Sequence, residues 1–356
     1  MANKRFKISY IADAKMVCIL LVFLWHCMLF YEDNKYFEES FGIISPTATF
    51  VGNIFDITLI STFVFCSGYL YALSLNNHRR SMLQSAAERV KRLIVPYYII
   101  GAIWLVPLYT LLDIKAFGRP DGAGWAEGYK CMILGQFSDH LWFLWMLFWV
   151  TLFFILLTPL IRKNMMALMF VITVAAALCV DMFLQSFPYF KLSQIASYLI
   201  CFYLGMLFYK YAVKIEALSK SIKITITLLL FAVLIVYAVL LPQHFAFKYV
   251  FRPAGALFFV FFFMLLSKNS IWSKIYETKY YDTFIRHQMN IYLMHMPLPY
   301  VFSRILRPYI GHIPWLCILT SFILVVTCGM ILAQISIWIE KKTMASVRKL
   351  YGYKNE

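Results

Sequence analysis

Three ionisable side chains interrupt the first long apolar run of the chain, YIADAKMVCILLVFLWHCMLF: Asp13, Lys15 and His26. An ionisable side chain near the centre of a bilayer costs a few kcal/mol, so such residues usually face a partner or a cavity. An imidazole has an unperturbed pKa of about 6.5 and can accept a proton near neutral pH. His26 is therefore a candidate catalytic base.

Lys15 and His26 lie on one stripe of the predicted helix. They are eleven residues apart, which gives nearly the same face and an axial distance of about 16 Å. Structural roles are open for both, since Lys15 can extend its amine to the nearer membrane surface. His26 can equally be a hydrogen-bonded core histidine.

Two carboxylates are possible partners of these groups. Asp13 is thirteen residues from His26, roughly 20 Å along one helix, and so cannot orient it. We expect Asp13 to pair with a cation such as Lys15 or Arg92. Asp56 lies near the outer end of the second apolar run, at the depth of His26, and is a candidate for fixing the tautomer of the histidine.

A pair of arginines follows the second apolar run, in ERVKRLIVPYYII. Arg89 and Arg92 are spaced i, i+3 and are expected to share a helix face. Basic residues at a membrane boundary ordinarily mark the cytoplasmic side of a membrane protein. Two guanidiniums on one face can instead bind phosphates through their planar forks of donors, which indicates a phosphorylated cytosolic ligand.

Two further apolar segments contain small or polar residues. Ser67 and Gly68, in the middle of the second run, are suited to close packing between helices. Tyr292 and His295 belong to a segment that is unusually polar for a span. We expect this helix to face protein or water rather than lipid.

The elements that must position these residues are membrane helices. Of the 356 residues, 62% are hydrophobic and 14% are charged, whereas soluble domains are closer to half apolar. Apolar runs recur along the chain and predict an all-α integral membrane protein with about ten transmembrane helices. The predicted spans are 10–31, 50–75, 93–112, 139–161, 164–184, 192–212, 222–241, 249–267, 284–302 and 314–338.

The predicted domain organisation is one transmembrane domain at 1–340 and a short basic cytoplasmic tail at 341–356, with no additional soluble domain. The formal net charge of +16 would suggest nucleic-acid binding in a soluble chain. In a polytopic membrane chain the excess of basic residues is explained first by the positive-inside rule, so no nucleic-acid partner is expected. Most basic residues lie on one side if both termini are cytoplasmic, and the connections at 32–49 and 113–138 then lie outside.

The cysteines indicate neither disulfides nor a metal site. Seven of the eight fall inside apolar runs, and Cys131 alone lies in a polar connection. Their spacing matches neither a disulfide framework nor a set of metal ligands, so we expect no metal cofactor.

Together these segments resemble the acyltransferase-three family of polytopic membrane O-acyltransferases, which acylate cell-surface polysaccharides and related glycans. The order and separations of the motifs carry the resemblance, which covers most of the chain. The motifs are Asp13 with Lys15 and His26, the SGY element within Phe65 to Tyr69, Arg89-x-x-Arg92 followed by Val95-Pro96-Tyr97, Leu141-Trp142-Phe143, and Ile291-Tyr292-Leu293-x-His295.

The resemblance implies an acyl-coenzyme A donor, by preference acetyl-CoA, bound from the cytoplasm. The acceptor would be a hydroxyl of a polysaccharide, oligosaccharide or lipid-linked sugar outside a bacterial inner or plasma membrane. The resemblance also implies that His26 is the essential histidine, and that Lys15, Arg89 and Arg92 lie at the coenzyme site. Some members carry an extra extracytoplasmic domain that completes the transfer. Because no additional soluble domain is predicted here, we expect transfer to finish on the membrane domain or on a separate partner protein.

The chemistry leaves alternatives open. His26 can act as a general base or can carry the acyl group covalently. The side chain that donates a hydrogen bond to the oxyanion is not assigned. The possibilities are Trp142, Tyr69 and Tyr292. A secondary transporter or glycolipid flippase would also be basic and polytopic, but it does not explain the Arg89-x-x-Arg92 pair beside the histidine span.

Overall fold

The computed structural model of the protein describes residues 9–33, 41–77, 80–114, 124–136, 139–240, 248–267, 274 and 278–350. Every regular element in these ranges is a helix, which confirms the predicted all-α class. In chain order the first seven are α1 Ser9–Met28, α2 Pro46–Asn77, α3 Met82–Leu111, α4 Trp125–Ile133, α5 Trp142–Leu156, α6 Thr158–Arg162 and α7 Met166–Leu184. The remaining six are α8 Ala196–Glu216, α9 Lys220–Leu240, α10 Lys248–Leu266, α11 Lys279–Met294, α12 Leu298–Ile310 and α13 Pro314–Leu350.

Eight helices in the described ranges are long and apolar enough to cross a membrane, namely α1, α2, α3, α7, α8, α9, α10 and α13. The predicted fourth span, 139–161, is divided between α5 and α6. The division falls at Leu157, where Pro159 follows and removes a backbone donor. The last helix runs past the predicted boundary at 340 to Leu350, and 351–356 lie outside the described residues.

The predicted ninth span, 284–302, is not one helix. α11 ends at Met294 and α12 begins at Leu298, because the rings of Pro297 and Pro299 interrupt the backbone hydrogen-bond ladder. The intervening backbone is buried, and the Trp104 indole N–H donates to the Met296 carbonyl at 2.5 Å. Irregular backbone at membrane depth is tolerated where protein groups satisfy it in this way.

Two π turns interrupt α3, at Val90–Ile94 and at Gly101–Leu105. Each precedes a proline, Pro96 or Pro107, whose ring displaces the carbonyl one turn earlier. A π turn holds more residues than an α-helical turn, so it changes which side chains share a face of α3.

α1 and α2 run antiparallel in a defined register. Tyr10 at the start of α1 lies beside Tyr69, and the Lys15 amine lies 4.8 Å from the centre of the Phe63 ring. Just beyond α1, Glu32 packs against Gly52 so closely that a Cβ there would overlap its carboxyl group. At this register His26 lies level with residues 56–57 of α2, as the sequence predicts.

The SGY element is a crossing point between α2 and α8. A Cβ at Gly68 would overlap the Phe202 carbonyl, and a Cβ at Gly205 would overlap the Phe65 carbonyl. Two glycines thus allow the backbones to touch, as in other membrane helix pairs. The neighbouring Ser67 hydroxyl donates to the carbonyl one turn earlier on its own helix, at 2.9 Å.

Candidate active site

His26 of α1 contacts His295, which follows α11. Nδ1 of His26 lies 2.9 Å from Nε2 of His295. The rings are nearly coplanar, 6° apart, with centroids separated by 5.1 Å, so the contact is an in-plane hydrogen bond. His295 is fully buried, whereas His26 keeps part of its surface accessible.

The break after α11 positions His295. The last carbonyls of a helix generally take hydrogen-bond donors from outside it, and α11 ends at Met294. The Tyr292 carbonyl accepts a hydrogen bond from Nδ1 of His295 at 2.6 Å. The Leu293 carbonyl accepts one from Nε2 of His140 at 3.2 Å. Two histidines therefore satisfy the frayed helix end and are oriented by it.

This hydrogen bonding fixes the tautomers of two neutral imidazoles. A carbonyl oxygen only accepts, so Nδ1 of His295 carries the proton and Nε2 holds the lone pair. Nδ1 of His26 must then donate to that lone pair. The Nε2 atom of His26 is left with a lone pair of its own, which is the form that can accept a proton.

Aromatic side chains hold the His295 ring on two sides. Phe23, three residues before His26, stacks on it with centroids 4.2 Å apart. His140 meets the ring edge-on, with centroids 4.7 Å apart. The Tyr292 hydroxyl donates to the His140 carbonyl at 2.6 Å and so ties this wall to α11.

Asp56 does not orient His26, contrary to the sequence prediction. Nδ1 of His26 is occupied by His295, and the Asp56 carboxylate instead lies 3.5 Å from the Arg252 guanidinium of α10. The correct depth was predicted, but the lateral direction was not. An arginine 196 residues away in the chain provides the stronger attraction for the carboxylate.

Asp13 also has a different partner from those predicted. It is fully buried and accepts a hydrogen bond from the Tyr281 hydroxyl at 2.6 Å. Arg92 pairs with Glu88 at 2.5 Å, and the Lys15 amine lies over an aromatic ring. Neither cation forms the expected ion pair with Asp13.

The end of the bundle that carries Lys15 and Arg89 is here named the basic end, and the end with His26, the histidine end. Lys15 and Arg89 are both half-buried and interact as like charges. The Arg89 guanidinium lies 6.0 Å from the centre of the Tyr71 ring. Two cations thus converge on the interior of the bundle at this end.

Arg92 does not share the inward face of Arg89. The π turn begins directly after Arg89 and rotates the following side chains. As a result, 66% of the Arg92 side chain is exposed, and it shares the Glu88 carboxylate with Arg80. The two arginines remain neighbours, but one faces the bundle and the other faces outward.

A row of aromatic rings connects the two ends. Phe63, under the Lys15 amine, meets Phe143 edge-on with centroids 4.9 Å apart. Phe143 lies 5.9 Å from the Tyr292 ring, which in turn lies 5.5 Å from the His295 ring. The row leads from the basic end to the histidine pair through the interior.

The three side chains considered as oxyanion donors have different positions. The Tyr292 hydroxyl proton is already committed to a backbone carbonyl. Tyr69 lies beside Tyr10, at the basic end and far from the histidines. Trp142 packs against Tyr198 at the histidine end, with centroids 6.0 Å apart, and stays a prediction.

His140 was not among the residues that the sequence predicts to be functional. It is buried, touches His295 and caps α11. The available signal was a single polar residue at the start of a strongly apolar run. Within the described residues, no three side chains of His, Cys, Asp or Glu form a group that could hold a metal ion.

Glu32 lies directly after the first span and is 7% exposed. Burial raises the pKa of its carboxyl group to about 8; the Trp25 indole N–H opposes this shift, and the like charge of Asp56 adds to it. Between the ordinary value of 4.5 and about 8 the carboxyl group is protonated in the folded protein and ionised in the unfolded chain. The free energy of unfolding therefore falls as the pH rises through this window.

Glu32→Gln is expected to remove that dependence. The melting temperature of the wild-type protein in detergent should fall between about pH 5 and pH 8 relative to the variant, because only the wild type must release a proton on unfolding. Glu127→Gln changes a more exposed glutamate and is the control. Melting curves of wild type and Glu32→Gln that shift in parallel with pH would contradict this assignment.

The spans indicate a multi-pass membrane protein, and the pair of histidines lies inside its helix bundle. A family model described as an acyltransferase domain matches residues 9–334, nearly the whole chain. The protein belongs to the acyltransferase-three family, as its motifs predict. No curated protein and no solved structure matches the chain.

Proposed function

We propose that the protein is a membrane O-acyltransferase. It moves an acyl group, most simply acetyl, from cytoplasmic acyl-CoA to a hydroxyl of an extracytoplasmic glycan or lipid-linked sugar. The observation that carries the proposal is the His26–His295 hydrogen bond, because it leaves Nε2 of His26 as a base inside the bundle. The basic end is assigned to the cytoplasm, in accord with the positive-inside rule.

The reaction needs alignment and proton transfer more than activation, since a thioester is already reactive. The acceptor hydroxyl loses its proton to Nε2 of His26 while its oxygen attacks the thioester carbonyl. His26 is an imidazolium while the tetrahedral intermediate lasts, and the lone pair of His295 holds its Nδ1 proton. The intermediate then expels coenzyme A as a thiolate, which takes the Nε2 proton from His26 and restores the base.

An acyl-histidine route uses the same lone pair. Nε2 of His26 would attack the thioester, coenzyme A would leave, and the acceptor hydroxyl would then take the acyl group from the imidazole. Both routes need the tautomer that His295 imposes. A quenched reaction with labelled donor separates them, because only the second leaves label on His26.

The donor enters at the basic end in this proposal. Its phosphates bind near Arg89 and Lys15, whose half-buried cations face the interior. Arg92 supplies a third cation from outside, where Glu88 already offers it a carboxylate. Beyond these groups the aromatic row gives the pantetheine arm an apolar surface that leads to the histidines.

Acetyl-CoA is expected to raise the melting temperature of the purified protein, because a ligand that prefers the folded state stabilises it by mass action. Arg89→Ala with Arg92→Ala should weaken the apparent affinity by about 10-fold or more, since hydrogen bonds to charged groups contribute about 1.5–3 kcal/mol each. The matched control is the double alanine variant of Arg304 and Arg307, spaced identically on α12.

Glu88→Gln is expected to bind acetyl-CoA at least as tightly as wild type, because it removes a carboxylate that competes with phosphate for Arg92.

Stabilisation by acetyl-CoA that is absent in the wild type, or unchanged in the Arg89 and Arg92 double variant, would contradict the donor site. The first result would favour a transporter instead.

A further inference from the structure

A second group of polar side chains surrounds the histidine end beside His26. Trp25 adjoins His26 in the chain, and their ring centroids are 6.1 Å apart. Glu32 lies next to Trp25 and interacts with Asp56, which pairs with Arg252 at 3.5 Å. These four residues, Trp25, Glu32, Asp56 and Arg252, are named the outer polar cluster.

Three buried atoms of the outer polar cluster have no hydrogen-bond partner of standard geometry among the described residues. They are Nε of Arg252, Oε1 of Glu32 and Nε1 of Trp25, and the last lies near the Glu32 carboxyl group without the geometry of a hydrogen bond. A buried polar atom without a partner costs about 1–3 kcal/mol, so unpartnered groups in a native site usually mark a ligand or a bound water. Two of the atoms donate and one is a carboxyl oxygen, a set that matches sugar hydroxyls.

The cluster opens on one side. Asp56 exposes 47% of its side chain, compared with 13% for Arg252, and Glu32 is 7% exposed. A charged side chain level with His26 is costly against lipid, so this open side is expected to face water. A ligand that enters past Asp56 would meet the buried atoms of the cluster, next to the His26 ring.

The charges of the cluster restrict the charge of the sugar that can bind there. Its only guanidinium, that of Arg252, is already paired with Asp56 and also donates to the Tyr198 hydroxyl. A second carboxyl group, that of Glu32, lies close by. An anionic sugar would meet the Asp56 carboxylate without a free cation in the cluster, whereas a neutral sugar can exchange hydrogen bonds with the Glu32 carboxyl group and accept from Trp25 and Arg252.

We propose that the outer polar cluster is the binding subsite for a neutral sugar of the acceptor, held so that one of its hydroxyls reaches Nε2 of His26. The proposal deepens the proposed function and rests on it for the identity of the reaction. Sugar binding itself can be measured without donor or turnover, so the two can fail separately.

The test measures binding of the methyl glycosides of glucose, galactose and mannose to the full-length protein in detergent, by saturation-transfer NMR and titration. Trp25→Phe keeps the ring and removes one donor, so it should raise the dissociation constant of the bound glycoside about 2- to 10-fold. Adding Glu32→Gln should raise it further. Glucuronate should bind more weakly than any glycoside that binds.

Trp149→Phe is the matched control, because it removes an indole N–H that is already satisfied within the protein, by the Phe190 carbonyl at 3.2 Å. It should leave glycoside affinity unchanged. The subsite is overturned if none of the three glycosides binds the wild type, if glucuronate binds best, or if Trp25→Phe binds like Trp149→Phe.

Acetyl-CoA stabilisation is recorded for the same samples. If it is absent while glycoside binding depends on Trp25 and Glu32, the proposed reaction fails and the sugar subsite stands. If it is present while the substitutions leave glycoside affinity unchanged, the reaction stands and the subsite is wrong.

Discussion

His26→Ala is expected to lower acyl transfer by at least about 100-fold, the lower range for loss of a general base. Among the residues that the structure describes, no other histidine near His26 is accessible enough to replace it, since His140 and His295 are both buried. The neighbouring histidines both direct a nitrogen at a backbone carbonyl, and His295 is fully buried. Stabilisation by acetyl-CoA should survive, because the donor cations lie at the basic end. The loss should be larger still if His26 carries the acyl group.

His312→Ala is the control for this variant, since His312 is exposed in the turn before α13. It should transfer acyl groups at the wild-type rate. A folded His26→Ala protein with half or more of the wild-type activity would remove His26 from the mechanism. Label retained on wild-type His26 after quenching without acceptor would select the covalent route.

His295→Phe is expected to reduce transfer by about 100-fold, although His295 acts only through His26. Phenylalanine can still stack on Phe23, but it offers no lone pair to Nδ1 of His26. The His26 proton is then free to sit on either nitrogen, and the base loses its fixed form. Misplacement of a catalytic group by about 1 Å already costs about 100-fold.

His295→Gln tests positioning against packing. Its side-chain oxygen can accept from Nδ1 of His26, so this variant should recover part of the activity lost in His295→Phe. A role in packing alone would rank the two variants the other way, because the aromatic ring fits the stack on Phe23 better. Equal activity of both variants would contradict the positioning role.

The sequence was sufficient to predict the depth of Lys15, His26 and Asp56 in the bundle. Lys15 and His26 were placed on one stripe by helical periodicity, and the antiparallel register puts Asp56 level with His26, as predicted. The partners of these residues were not predictable in the same way. His26 meets a residue 269 positions away, and helical periodicity says nothing about contacts at that separation.

Two errors arose from prolines whose effect was visible in the sequence. Pro297 and Pro299 end the predicted ninth span and place His295 at a helix terminus, where its Nδ1 bonds to the Tyr292 carbonyl. The π turn before Pro96 separates the directions of Arg89 and Arg92. In both cases an unbroken α-helix was assumed across a residue that cannot continue one.

Acyl transfer that depends on His26 is the central claim about this protein. The decisive measurement uses membrane vesicles from cells that produce the wild type or His26→Ala, supplied with acetyl-CoA labelled in the acetyl group. We predict that label appears in membrane-associated glycan or lipid-linked sugar with the wild type and is nearly absent with the variant. Equal labelling in both, with equal amounts of folded protein, would contradict the account.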